Sequence, residues 1–187
     1  MRVIAGRARG TPLVAPPGSA TRPTSDLLRG VIFNMLAAAG PFERVADLYA
    51  GSGALGIEAL SRGTELATFV EQNARACRVI QRNLAATKFA DSAQVICATL
   101  PGAIDRLTGV YDLILLDPPY EGGELPDALG RLAVSGHLAP GAIVVAEHRA
   151  TTALPDAVGP LAVWKRRRQG DAAVTFYRHA APTAVVP

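Results

Sequence analysis

The residues best equipped for chemistry are Asp117-Pro118-Pro119-Tyr120, at the end of the apolar run Leu113-Ile114-Leu115-Leu116. The Asp117 side chain and the Pro118 carbonyl both accept hydrogen bonds, and neither proline has an N–H to compete with them. Tyr120 adds a flat aromatic face. Two rigid acceptors beside an aromatic suit an exocyclic amino group on a planar base: its N–H bonds go to the acceptors and the ring stacks on the tyrosine. A solvated turn at a strand end is the bland alternative for this tetrapeptide taken alone.

A second constellation lies upstream. Ala50-Gly51-Ser52-Gly53-Ala54-Leu55-Gly56 follows the apolar Val45-Ala46-Asp47-Leu48-Tyr49 and precedes a helical stretch reaching Gly63. Strand, glycine-rich loop and helix together let a ligand approach the backbone. Gly51, Gly53 and Gly56 match G-x-G-x-x-G, a weak signal alone. Glu71 ends the next strand, about 20 residues after Gly51, where an acid holds ribose hydroxyls. A nucleoside cofactor is the reading. Charge selects which one. The pyrophosphate of a dinucleotide would be repelled by Asp47, whereas the sulfonium and ammonium of S-adenosylmethionine would be attracted to it. A carboxylate merely satisfied by loop N–H groups fits either ligand.

The elements that must position these groups alternate between strand and helix. The strands are expected at Val45–Tyr49, Leu66–Val70, Ala93–Cys97, the D-P-P-Y strand and Ala142–Glu147. Two further strands, Leu161–Arg168 and Ala172–Tyr177, form an antiparallel hairpin turning at Gln169-Gly170-Asp171. Helices are expected after the Thr24-Ser25-Asp26 caps, with Leu27, Leu28, Val31, Ile32, Met35 and Leu36 inward, and ending at Gly40-Pro41. Others run from an Asn73 cap to about Thr87 with Cys77, Val79, Ile80 and Leu84 inward, over about Gly102–Leu107, and over about Leu125–Val134. The fold class is α/β: a doubly wound, mostly parallel sheet, which binds ligands beyond the carboxyl ends of its strands. Ala98-Thr99-Leu100 lies at that edge, where an adenine would rest. Glu121-Gly122-Gly123, after Tyr120, reads as a mobile lid.

The 187 residues carry a net charge of +3 and are 49% hydrophobic, enough for one domain with its own core. Residues 1–23 form a basic N-terminal arm, read as a β-hairpin around Gly-Arg-Ala-Arg-Gly. Arg2, Arg7, Arg9 and Arg22 offer phosphate contacts, with a frayed terminus as the alternative. Lys165-Arg166-Arg167-Arg168 is the densest positive run, read as a phosphate-binding ridge rather than a charged guard on a sheet edge. Residues 24–179 are the main domain and 180–187 a loose tail. Cys77 and Cys97 lack metal-ligand spacing, and no histidine or cysteine beside His148 suggests a metal, so no metal is expected. Reduced cysteines, no signal-peptide pattern and no span-length apolar run predict a cytoplasmic protein away from membranes.

Together these residues resemble the RsmD family of bacterial 16S rRNA guanine-N2 methyltransferases, within the Rossmann-like S-adenosylmethionine-dependent class. The resemblance covers about residues 2–178. It rests on Arg2-Val3-Ile4-Ala5-Gly6, Thr21-Arg22-Pro23-Thr24-Ser25-Asp26, Asp47 to Gly56, Asp117-Pro118-Pro119-Tyr120, Glu147-His148, Gly170-Asp171 and Phe176-Tyr177. It implies a seven-stranded sheet and S-adenosyl-L-methionine as cofactor. Asp47, Ala50, Gly51, Ser52 and Gly53 would hold the methionine end, Glu71 with Gln72 the ribose, and Ala98 with Thr99 the adenine. Asp117 would adjoin the methyl group, and Asp117, Pro118, Pro119 and Tyr120 would hold the guanine. Thr99 departs from the family's usual Asp, and a hydroxyl accepts a hydrogen bond less strongly than a carboxylate. The implied partner is 16S rRNA, in a small ribosomal subunit or an assembly intermediate, met by a monomer. A DNA amino-methyltransferase would share the loop and D-P-P-Y but usually carries a larger recognition region. An NAD-dependent dehydrogenase leaves Asp47 and D-P-P-Y unexplained. A non-catalytic assembly factor has no need of Asp117 and Tyr120.

Overall fold

The computed structural model describes residues 1–16, 24–119 and 123–180. Its elements are α1 (Thr24–Leu36), β1 (Arg44–Leu48), α2 (Ala54–Ser61), β2 (Leu66–Glu71), α3 (Ala74–Thr87), β3 (Ala93–Cys97), β4 (Tyr111–Leu116), α4 (Leu125–Val134), β5 (Leu138–Arg149), β6 (Ala157–Val158), β7 (Leu161–Gln169) and β8 (Ala172–His179). The strands form one sheet in the order β3-β2-β1-β4-β5-β8-β7-β6. The five strands from β3 to β5 are mutually parallel. The pairings of β5 with β8, β8 with β7 and β7 with β6 are antiparallel.

Each parallel strand is an apolar run because both its faces are covered. Val45, Leu113, Leu115, Ile143, Val145, Val174 and Phe176 face α1, through Leu28, Ile32, Phe33 and Leu36. On the same side Phe69 packs with Ile57, Leu60, Ile80 and Leu84 of α2 and α3. Leu48, Ile114, Leu116, Val144, Ala146 and Tyr177 face the other way, onto α4 and the 3-10 turn Gly102–Arg106. Helices on both faces make the doubly wound class.

Three expectations are corrected. The sheet has eight strands instead of seven. The extra one, β6, is two residues paired across a tight turn at Gly159-Pro160, too short to show alternation. β5 begins at Leu138 instead of Ala142, because Pro140-Gly141 reads as a break but is carried through a register shift, with Gly141 at φ +77°. The inward face of α1 is rotated: Leu27 is 57% exposed while Phe33 is buried. The short helix expected over about 102–107 is present as the 3-10 helix Gly102–Arg106.

The N-terminal arm is folded back. Arg2 and Pro12 form an antiparallel bridge, and the Val3 and Leu13 side chains enter the α2–α3 core. Glu58, fully buried on α2, fixes the arm. Its carboxylate accepts from the Ile4 and Ala5 amides at 2.8 and 3.0 Å and from Arg62 Nε at 2.8 Å, with Arg29 Nε at 3.8 Å. A buried carboxylate is tolerated only with such a complete set of partners. Gly6 lies against Ser61, where a Cβ would fall 1.8 Å from the Ser61 carbonyl oxygen. Among the described residues no helix is long and apolar enough to cross a membrane.

Candidate active site

The site is built at the carboxyl edge of β1, β2, β3 and β4. The turn from β1 into α2 is made by three residues in the left-handed region: Tyr49 at φ +63°, Gly51 at +55° and Gly53 at +77°. Gly51 has open space where a Cβ would stand. Gly56 is glycine for a different reason: a Cβ would lie 2.4 Å from Phe69 Cε1, so α2 could not sit this close to β2. Tyr49 packs against the α4-side core, and burial followed by the Glu124 and Asp127 carboxylates raises its phenol pKa.

Two carboxylates organise the loop. Asp47, 1% exposed on β1, accepts from the Gly56 amide at 2.8 Å through Oδ2, capping the first turn of α2 from outside the helix. Its Oδ1 is buried with no hydrogen-bond partner. Burial pushes the Asp47 pKa up to about 7; the Gly56 bond opposes that and Glu71 adds to it. Glu71 accepts from the Gly51 amide at 2.9 Å and from the Asn73 amide at 2.8 Å. The Ala50 and Gly53 amides go to the Val70 and Ala50 carbonyls. Loop amides that a pyrophosphate would need are thus held by the protein, two of them by carboxylates. The donor set suits a cationic ligand: an orphaned carboxylate oxygen awaits a donor, and Glu71 oxygens retain lone pairs for hydroxyls.

Asp117 stands beside this loop. Its amide approaches the Leu48 carbonyl at 3.5 Å, and its position is exposed, as is Pro119, while Pro118 is buried. Ala98 is joined to the site by its amide, which donates to the Glu71 carbonyl at 3.0 Å. Gln72 and Thr99 are exposed along the same edge, and the Thr99 carbonyl accepts from Ala103. The fold therefore brings Asp47, Ala50–Gly53, Glu71, Gln72, Ala98, Thr99 and Asp117–Pro119 to one edge. Tyr120, the Glu121-Gly122 part of the expected lid, Arg22 and the tail from residue 181 lie outside the described residues.

The basic residues divide. Arg7 donates to the Leu60 carbonyl and stacks on Phe89, 5.3 Å from its centroid. α2 returns antiparallel to β1, so its last residues, and the arm's basic turn against them, sit at the amino edge of the sheet. Arg7 and Arg9 are therefore not neighbours of Asp117. Arg2 is exposed on the arm, its carbonyl bonded to Arg29. Lys165–Arg168 lie toward the carboxyl edge on β7, but their side chains alternate between faces.

Asn83 was absent from the sequence reading. It is 1% exposed on α3. Its Nδ2 donates to the Ser52 and Val14 carbonyls, both at 2.9 Å, and its Oδ1 accepts from the Val14 amide at 2.9 Å. It ties the glycine loop to the arm. The available signal was an amide on the inward stripe of α3, between Ile80 and Leu84. Cys77, buried as expected, meets exposed Cys97 at 2.7 Å, and burial pushes its thiol up to about 12. His148 is buried, its ring nitrogens on the Arg149 carbonyl and Thr175 Oγ1, both at 2.9 Å.

A doubly wound sheet with this loop, two loop-binding carboxylates and acceptors at the adjoining strand end define the class I methyltransferases. Comparison with known proteins agrees. The chain belongs to the family described as Conserved hypothetical protein 95, whose profile matches residues 1–178; this is the RsmD family. It is 38% identical over 185 residues to YlbH of Bacillus subtilis (strain 168), covering 95% of this chain and 98% of that protein. It is 31% identical over 181 residues to Ribosomal RNA small subunit methyltransferase D of Escherichia coli (strain K12), covering 97% and 91%. The solved structure of yhhF from Escherichia coli superposes with a TM-score of 0.86 at 31% identity, covering 97% and 98%.

Proposed function

We propose that this chain transfers a methyl group from S-adenosylmethionine to the exocyclic N2 amine of a guanine in small-subunit ribosomal RNA. The observation that carries the reading is the adjacency of the Asp117-Pro118 acceptors to the loop organised by Asp47 and Glu71. The substrate class is supported by the relative named for small-subunit ribosomal RNA methylation.

In this reading the orphaned Asp47 oxygen and the Ala50–Gly53 backbone hold the methionine end. Glu71 and Gln72 hold the ribose, and Ala98 and Thr99 the adenine. When bound, S-adenosylmethionine supplies an electrophilic methyl group on a sulfonium. The target guanine is taken out of its stack and held on Tyr120. Asp117 and the Pro118 carbonyl accept its two N2–H bonds, which fixes the amine and aims its lone pair. Positioning supplies much of the rate in such a displacement. The neutral amine is too weak an acid to ionise first, so its proton leaves with or after bond formation, and Asp117 is the nearest base. Residues 24–179 act as the catalytic domain of a cytoplasmic monomer, residues 1–23 as an appended arm and 180–187 as a tail.

The test offers methyl-labelled S-adenosylmethionine with unmethylated small ribosomal subunits, naked 16S rRNA and duplex DNA in parallel, followed by digestion to nucleosides. The expected product is N2-methylguanosine, and the better RNA acceptor identifies the assembly stage. Label in DNA adenine or cytosine, or on any other RNA atom, would overturn the reading.

A further inference from the structure

β7 carries four consecutive cations, and the structure divides them. Arg166 pairs with Thr175 and Arg168 with Ala173, while Lys165 pairs with Phe176 and Arg167 with Val174. Phe176 and Val174 are core residues on the α1 face. Thr175 is on the opposite face, hydrogen-bonded to His148. A hollow of about 590 Å³ opens there, lined by His148, Asp156, Thr175 and all three arginines, Arg166, Arg167 and Arg168, among others, but not by Lys165.

The arginines in it are arranged. Arg166 donates to Asp156 Oδ1 at 2.8 Å and to the Leu154 carbonyl at 2.9 Å. Arg168 Nε donates to the Gly170 carbonyl at 3.1 Å. A guanidinium has five N–H donors, so both side chains keep donors beyond these bonds. Asp156 is the one carboxylate among the lining residues, and Arg166 already pairs with it. His148 adds no positive charge: burial lowers its pKa and its ring nitrogens are engaged.

Location gives the hollow a use. Leu116, Ala146, Thr175 and Arg166 are consecutive partners across β4, β5, β8 and β7. Asp117 follows Leu116, so three inter-strand steps, about 14 Å, separate it from Arg166. The glycine loop lies on the far side of β4, over β1. A polynucleotide whose base reaches Asp117 can run its backbone over β5, β8 and β7, on the side away from the glycine loop. The basic turn of the arm is at the other edge of the sheet. Guanidinium groups are well matched to phosphate oxygens. A merely charged edge guard has no need of an arginine fixed by two hydrogen bonds.

We infer that Arg166 and Arg168, with the hollow beside His148, form a phosphate subsite for the RNA strand that carries the target base, whereas Lys165, on the α1 face and outside the lining of the hollow, takes no part. The inference rests on the RNA-methylating reading above and narrows it to the arginines of the run. The test compares Arg168→Ala with Lys165→Ala, each checked by thermal melting. Binding of unmethylated 16S rRNA is measured across a salt series, together with the affinity for S-adenosylmethionine. Arg168→Ala is expected to weaken RNA binding about fivefold to tenfold and to lower the slope of log K against log salt by about 1. Lys165→Ala should change RNA affinity less than about twofold, and neither should alter cofactor affinity. Equal losses in the two variants, or an unchanged salt slope in Arg168→Ala, would overturn the subsite. Failure of the guanine-N2 reading appears separately, as the wrong product nucleoside from the unmodified protein.

Discussion

The two halves of the sheet edge handle polar groups in opposite ways. Over β1, β2 and β3 the charged groups turn inward. Asp47 is buried and bonded to Gly56, Glu71 holds the Gly51 and Asn73 amides, and Asn83 holds Ser52. Over β4, β5, β8 and β7 they turn outward: Asp117 is exposed, and so are Arg166, Arg167 and Arg168. The first half is a preorganised socket for a small ligand of fixed shape. The second is an open platform for something larger that brings its own structure. Most buried polar groups of the first half are satisfied within the chain, and Asp47 Oδ1, buried without a partner, is an exception that the proposed ligand would fill.

That contrast predicts separable defects. The largest concerns the platform. Asp117→Ala removes an acceptor for the target amine and should lower the single-turnover transfer rate by about 10²- to 10⁴-fold. Calorimetric cofactor affinity should stay within about threefold, because the socket is built from other residues. Comparable losses in both would erase the distinction between the halves. A smaller effect is expected in the socket. Asn83→Ala leaves the Ser52 carbonyl and the Val14 amide and carbonyl, all in part-buried bonds, without their partner, at a cost of about 1–3 kcal/mol. It should lower the melting temperature by several degrees and weaken cofactor binding, with RNA affinity unchanged. Loss of RNA affinity alone would show that Asn83 serves the arm and not the loop.

The cofactor half was the more legible in sequence. Asp47, the glycines and Glu71 are close in the chain, and a strand-loop-helix unit permits few arrangements. The outward half depends on register between strands far apart in sequence. Nothing local says that Arg166 and Arg167 fall on opposite faces, or that an eighth strand closes on Leu161 and Ala162. The place of the arm is equally non-local: burial of Val3 and Leu13 against α2, beside Glu58, sets its basic turn at the amino edge. Asn83 stayed hidden because a polar residue in a helix reads as solvated until its partners are known.

Asp47 offers the most direct test. Its folded pKa of about 7 lies well above the ordinary carboxylate range, so the proton is held more tightly in the folded chain. This group's contribution to stability is fully present below about pH 4 and is lost as pH rises through 7. A cationic ligand at the orphaned oxygen would favour the ionised form and expel the proton. The decisive measurement is calorimetric titration with S-adenosylmethionine at pH 7 in buffers of different ionisation enthalpy, for the unmodified protein and for Asp47→Asn. Release of about half a proton on binding, abolished in Asp47→Asn, is the expected result. Equal proton release in the two proteins would mean that Asp47 serves only to cap α2, and the socket would have to be organised around some other group.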